Sequence, residues 1–260
     1  MPKKVRILAD DVEKNFLPFV RRPARYIGGE INQIKKDLAQ CDFTVALCFP
    51  DIYEIAMSHT GLAVIYHVLN QQKTIAAERV FAPWTEAEKI LRENNISLFT
   101  LESKAAVADF DIVGFSLTNE LCCTNMLNML DLAKIPIKSS DRSKGHPLII
   151  AAGQSANCAE PIADFVDIFI LGEAEHAIIA LVELLRNQQE KNADRKQILI
   201  EVAKNLSFAY VPSLYTFEYD TNDKIKSFKP TIPDLPTRFE NAVVDDLDAS
   251  PVPLLSLIHI

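Results

Sequence analysis

TVALCF, Thr44 to Phe49, followed by Pro50 and Asp51, is a near-continuous apolar run that stops at a turn former. Strands buried on both faces of a parallel sheet have that pattern, whereas half-exposed strands alternate. Immediately beyond it, Leu62, Ile65, Tyr66 and Leu69 recur at helical spacing. A second strand is predicted over ERVFAP, Glu78 to Pro83, where the proline ends pairing. Thr85 with Glu88 three residues later reads as a capping box opening a helix to about Asn94.

The alternation continues. DIVGFSL (Asp111 to Leu117) is another buried strand, followed by a helical stretch carrying Leu121, Met126, Leu127, Leu130 and Leu132. PLIIAAG (Pro147 to Gly153) and FVDIFILG (Phe165 to Gly172) are strands, and a helix runs from about Glu175 to Arg186. Strand–helix repetition with short connections predicts a parallel sheet covered on both faces. The fold class is therefore α/β: a flavodoxin- or Rossmann-like doubly wound sheet, with strand order 2-1-3-4-5. Ligands of such sheets sit beyond the carboxyl ends of the strands. Here that rim holds Pro50, Asp51, Ser116 to Asn119, and Gly153 to Ser155.

Around this core, residues 1–40 read as a helical lead-in and 41–191 as the α/β domain. Gly28-Gly29 in RYIGGE turns the chain ahead of a helix predicted over Ile31 to Leu38. That motif lies outside a strand–loop–helix setting, so a packing or interdomain role is expected rather than nucleotide binding. Residues 192–229 form an appendage: a helix near Arg195 to Asn205, then a hairpin of SLYTFEY and KIKSF around Thr221-Asn222-Asp223. From Pro230 to Leu254, five prolines mark an extended linker or wrapping segment. The last six residues, LSLIHI (Leu255 to Ile260), equal a translation of CTGTCTCTTATACACATC, which resembles a transposon-end sequencing adapter. They are expected to be adapter-derived.

Charge and composition exclude several classes. Lys and Arg number 27 against 35 Asp and Glu, so the chain is acidic and a poor partner for nucleic acid. Arg21, Arg22 and Arg25 cluster and could form a local basic patch, but read rather as a solvated face or an ion-pair set. No signal peptide and no membrane-spanning stretch is present, and five unframed cysteines fit a reducing cytoplasm. There is no nucleophile elbow, Walker loop or HExxH helix.

Several segments, taken together, carry a resemblance. They are RPARYIGGE (Arg22 to Glu30), FPDIYEIAMSHTGLAVIYHVLN (Phe49 to Asn70), ERVFAPW (Glu78 to Trp84) and DFDIVGFSLTNEL (Asp109 to Leu121). To these are added TNMLNMLDLAKIP (Thr124 to Pro136), AEPIADFVDIFILGEAE (Ala159 to Glu175) and YVPSLY (Tyr210 to Tyr215). The chain resembles uncharacterised radical S-adenosylmethionine (SAM) proteins with an N-terminal cobalamin-binding-type domain. The resemblance implies a catalytic barrel after this domain, as its partner in the same protein. There a Cys-x3-Cys-x2-Cys loop would hold a [4Fe–4S] cluster and SAM. That spacing is absent here, and all five cysteines read as small core hydrophobes, so this polypeptide alone is expected to be inactive.

The implied function is accessory: to hold cobalamin, or, alternatively, only to brace the barrel. A flavin-binding reading rests on fold analogy alone. Asp-x-His-x-x-Gly, the cobalt-ligating motif, is missing: His59 comes too long after Asp51, and Gly61 lies two residues beyond His59. Candidate cofactor-binding residues are Pro50, Asp51, His59, Ser116, Thr118, Asn119, Gly153, Gln154, Gly172 and Glu173, with no catalytic or metal-ligating residue. His59 equally suits a helix start, Ser116, Thr118 and Asn119 a cap, and Glu173 a helix-dipole partner. Gly153 is expected to supply a positive φ or a close backbone approach. The family commonly carries Gly-Gly-Pro and Gly-Glu-Gly-Glu where this chain has Ala152-Gly153-Gln154 and Gly172-Glu173-Ala174-Glu175.

Overall fold

The structure is a computed structural model that describes residues 5–222, 224–246, 248, 252–253 and 255. The expectation about Leu255 to Ile260 therefore lies, Leu255 apart, outside the described residues. The lead-in holds two short helices, α1 (Ala9–Asn15) and α2 (Ala24–Ile27). The sheet elements come in the order β1 (Phe43–Phe49), α3 (Tyr53–Ala56), α4 (Thr60–Gln71), β2 (Ile75–Phe81), α5 (Thr85–Glu93) and β3 (Ile112–Ser116). Then come α6 (Cys122–Leu132), β4 (Leu148–Ala152), β5 (Ile168–Ile170), α7 (Ala174–Glu190), α8 (Arg195–Asn205) and β6 (Ala209–Tyr210). A separate antiparallel hairpin joins β7 (Tyr215–Tyr219) to β8 (Ile225–Pro230).

The strand order is β2-β1-β3-β4-β5-β6, parallel through β5. The sequence-based order holds, and β6 extends it by an antiparallel strand that the sequence pattern does not announce. With only two residues, Ala209 and Tyr210, β6 carries no periodicity to read. Right-handed crossovers reverse direction after β2, which places α4 and α5 on opposite faces of the sheet. Accordingly α4 packs with α7, and α5 with α6.

β1 is buried along its whole length, as its apolar run demands. β2 is also fully buried although it stands at the edge, and it carries Glu78 and Arg79. The connection after α5 covers that edge: Leu101 N donates to the Arg79 carbonyl at 2.8 Å, and Arg79 N to the Glu102 carboxylate at 2.7 Å. The covering chain removes the exposed ladder that an edge strand otherwise presents.

Two local expectations are corrected. Residues 31–37 are not helical: both polar groups of the Ile34 backbone bond the Tyr66 hydroxyl, at 2.8 and 2.9 Å. Lys36 Nζ caps the carbonyls of Asn70, Gln72 and Ile75. These tertiary bonds hold the segment open against its helical pattern. At α5 the cap is Trp84, and Thr85 is already helical. Glu88 reaches instead to Arg92 and Asn128, joining α5 to α6.

Candidate functional site: the carboxyl rim of the sheet

Parallel strands end together, so the loops after β1, β3, β4 and β5 share one edge. There the β3 and β4 turns interlock. Leu117 N donates to the Ala152 carbonyl at 2.8 Å, and Ser155 N to the Leu117 carbonyl at 3.1 Å. Gly153 makes this approach: its φ is +105°, and a Cβ there would fall 2.5 Å from the Leu117 oxygen. Both readings of Gly153, positive φ and close approach, describe the same contact.

Around this turn the polar side chains are sparsely engaged. Ser116 and Gln154 make no side-chain hydrogen bond among the described residues. Among the described residues, the Asp51 carboxylate accepts only from the next amide, that of Ile52, at 2.7 Å. The Pro50 carbonyl accepts from Asn125 Nδ2 at 2.9 Å, which ties the β1 turn to α6. Asn119 folds back on the Leu121 amide at 3.0 Å, and Thr118 approaches the Cys122 sulfur at 3.7 Å. Both therefore serve the entry to α6.

His59 caps α4: its Nδ1 accepts from Leu62 N at 3.1 Å, and its ring lies against Phe49. Burial lowers its pKa, in keeping with a neutral ring that accepts at Nδ1. The helix-start reading accounts for its contacts.

Gly172 and Glu173 are engaged by the chain itself. Ala242 N donates to the Leu171 carbonyl, and Glu173 N to the Ala242 carbonyl, each at 2.8 Å. The Glu173 carboxylate accepts from Val244 N. Gly172, at φ +91°, leaves no room for a Cβ, which would stand 2.3 Å from the Ala242 oxygen. The residues read as a linker thus form an anchored strap. Upstream, Phe239 packs edge-on against Tyr210 and Tyr215, and the Tyr215 hydroxyl donates to the Pro236 carbonyl at 2.8 Å.

RYIGGE is a packing device. Arg25 lies over the Trp84 ring and bonds Glu54, while the Tyr26 hydroxyl accepts from Trp84 N. Gly28 abuts Leu101, and Glu30 reaches Arg79 at 3.0 Å and the Tyr53 hydroxyl at 2.9 Å. Sequence reasoning missed this buried set: Arg79 lies in ERVFAPW, but its partner Glu102 stands 23 residues on, with no spacing that links the two. Arg22 also pairs with Glu54, so two of the three clustered arginines form ion pairs.

The cysteines divide. Cys41, Cys48 and Cys122 are buried, and burial raises the Cys48 thiol pKa. Cys123 is half-buried and Cys158 exposed, which corrects the expectation that all five belong to the core. Cys158 closes the polar turn after β4, where no strand or helix periodicity fixes a burial side.

A cleft of about 660 Å³ lies at the opposite edge, between the β4 approach and the α7–α8 turn. At its walls Arg186 pairs with Asp42, Arg195 pairs with Asp167, and Gln189 Nε2 donates to Asp111. No helix among the described residues is long and apolar enough to cross a membrane.

The architecture is a mostly parallel α/β sheet with helices on both faces. The chain belongs to the family of N-terminal domains of radical SAM proteins, which residues 61–212 match. A solved radical SAM methyltransferase, TsrM from Kitasatospora setae with tryptophan substrate and a SAM analogue bound, is similar at 12% identity and a TM-score of 0.36. The similarity covers 58% of this chain and 26% of that one, so the chain spans about a quarter of that structure's length. No curated protein matches the chain.

Proposed function

We propose that this chain is the accessory, cobalamin-holding domain of a radical SAM enzyme, whose cluster and SAM belong to a catalytic domain elsewhere in the same protein. The observation that supports the reading is the sparse engagement of the rim side chains Asp51, Ser116 and Gln154 inside the domain, beside the turn where Gly153 packs on Leu117. A corrin is broad and flat, with amide arms that need donors and acceptors at its edge. The side chains of Asp51, Ser116 and Gln154 are available for such arms, with the backbone of Gly153 beside them. Bound there, cobalamin would supply a cobalt centre able to carry an alkyl group.

The residues fit a corrin held by its edge, not one ligated by a protein imidazole. His59 Nδ1 already accepts the Leu62 amide. Gly172 and Glu173 bond the strap, so the β1, β3 and β4 turns would do the holding.

A second reading, a bracing module without cofactor, is favoured by the same strap and by the absent cobalt-ligand spacing. Anaerobic titration with hydroxocobalamin, then desalting and visible absorbance, separates the two. One retained corrin per chain, lost in Ser116→Trp, is the outcome expected of a cofactor domain. A folded protein that retains none, both as this chain and as the full-length protein, would leave the bracing module.

A further inference from the structure

The cleft at the amino ends of β1, β3 and β4 holds about 660 Å³, within the roughly 300–1,000 Å³ of small-molecule sites. One wall is the turn over residues 143–146, closed by His146 N on the Ser143 carbonyl at 3.0 Å. The other is the end of α7, where Arg186, Gln189 and Glu190 share one helix face at i, i+3 and i+4. Phe110 and Leu148, both buried, and Ile198 supply the apolar lining. The walls are held in place: Lys144 Nζ donates to Asn192 Oδ1 at 2.6 Å, and Arg195 donates to the His146 and Pro147 carbonyls at 3.0 and 2.8 Å.

The two walls carry opposite charge that the fold does not neutralise. The arginines are engaged, Arg186 with Asp42 at 3.0 Å and Arg195 with Asp167 at 2.7 Å. Lys144 is not: among the described residues its ammonium meets only the neutral oxygens of Asn192. Beside it, His146 Nδ1 accepts from Ser143 N at 3.0 Å, so the neutral ring carries its proton on Nε2, a donor with no acceptor among the described residues. On the facing wall the Asp111 carboxylate receives only neutral donors, Thr44 N and Oγ1 and Gln189 Nε2. Glu190 is exposed and makes no hydrogen bond or ion pair among the described residues.

We infer that this cleft binds a small zwitterion of the amino-acid type, with its carboxylate toward Lys144 and His146 Nε2, its ammonium toward Glu190 and Asp111, and an apolar side chain against Phe110, Leu148 and Ile198. A ligand with only a negative charge would meet Glu190 and Asp111 unopposed, and one with only a positive charge would meet Lys144. A molecule carrying both charges satisfies both walls at once. The site shares no residue with the carboxyl rim, so it stands whether or not a corrin is held there.

Calorimetric titration of the full-length protein with L-leucine, isopentylamine and isocaproate tests it. The last two are leucine without its carboxylate and leucine without its ammonium. Leucine is expected to bind about tenfold more tightly than either, since each half forgoes one hydrogen-bonded charge contact. Lys144→Met should weaken leucine and isocaproate and leave isopentylamine unchanged. Glu190→Gln should weaken leucine and isopentylamine and leave isocaproate unchanged. Both side chains are exposed, so folding is not at stake, and thermal melting checks it. The crossed pattern assigns binding to this cleft even if leucine also binds elsewhere in the protein. A half that binds as tightly as leucine overturns the inference. So does leucine binding that neither substitution alters, or no binding of any of the three.

Discussion

Gly153 and Leu117 meet so closely that no side chain fits between them: a Cβ on Gly153 would lie 2.5 Å from the Leu117 carbonyl oxygen. This contact locks the β3 turn to the β4 turn and shapes the middle of the rim. Gly153→Ala combines a forbidden φ with a clash against backbone. It is expected to cost about 2–4 kcal/mol in urea unfolding. Gly145→Ala, at a position with no neighbour within 4 Å, should stay within about 0.5 kcal/mol. Equal effects would remove the steric account.

At Gly172 the clash is with the strap rather than the sheet. Gly172→Ala should release residues 239–246 while leaving the sheet folded, since Ala242 lies 2.3 Å from the added methyl. Hydrogen exchange should show faster exchange of the Ala242 and Val244 amides, with the amides of β1 and β3 unchanged. Unaltered protection at Ala242 would show that the strap is held elsewhere.

The carboxylates around Arg79 predict a pH dependence. Arg79 bonds Glu102 at 2.7 Å and Glu30 at 3.0 Å, and Glu78 accepts from Thr100 and Ser103. Burial pushes Glu102 up to about 7, with the Arg79 charge opposing and Glu78 adding to the rise. Glu78 is also raised by burial, whereas at Glu30 burial is outweighed by the Arg79 charge and hydrogen bond together with the backbone and Tyr53 hydrogen bonds, and its pKa is lowered. A carboxyl raised in the folded state binds more protons there than in the unfolded chain. Glu102 thus loses stability for the protein as pH rises from its ordinary range toward about 7. The slope is at most about 1.4 kcal/mol per pH unit. Glu102→Gln should flatten that part of the profile in denaturant titrations between about pH 5 and 8. A parallel profile would refute the assignment.

At the opposite edge, Asp167 holds two guanidiniums, Arg142 at 2.6 Å and Arg195 at 2.7 Å, and the Ile149 amide at 2.7 Å. Asp167→Ala strands buried positive charge, and about 3–5 kcal/mol of stability should be lost. Chemical denaturation measures it. A loss under about 1 kcal/mol, the scale of an exposed pair, would mean that the site relaxes to water.

His59 should tolerate replacement by another capping residue. His59→Asn keeps an acceptor for the Leu62 amide, and melting should shift little; His59→Ala should cost about 1 kcal/mol. Because burial lowers the His59 pKa, its contribution is present above the ordinary histidine range and lost as pH falls through it. His59→Asn removes that acid-side loss. If corrin retention fell in His59→Asn with stability unchanged, His59 would belong to the ligand site after all.

The pattern of residues along the chain is enough to dictate the parallel sheet and its order. The runs TVALCF, DIVGFSL and PLIIAAG have the pattern of buried strands, and right-handed crossovers leave few ways to join them. The same pattern places Gly153 and the β7–β8 hairpin, where local chemistry governs the backbone. Other features arise only from contacts between distant segments. Residues 31–37 carry a helical pattern, yet Tyr66 and Lys36 bonds hold them open. β6 is too short to announce itself and exists because β5 offers it a ladder. Arg79 and Glu102 are 23 residues apart in the chain and meet only when the edge of β2 is covered. The strap over Gly172 joins residues 71 positions apart, Glu173 and Val244, a pairing that no local pattern encodes. Local periodicity reports which face of an element is buried; it does not report what buries it.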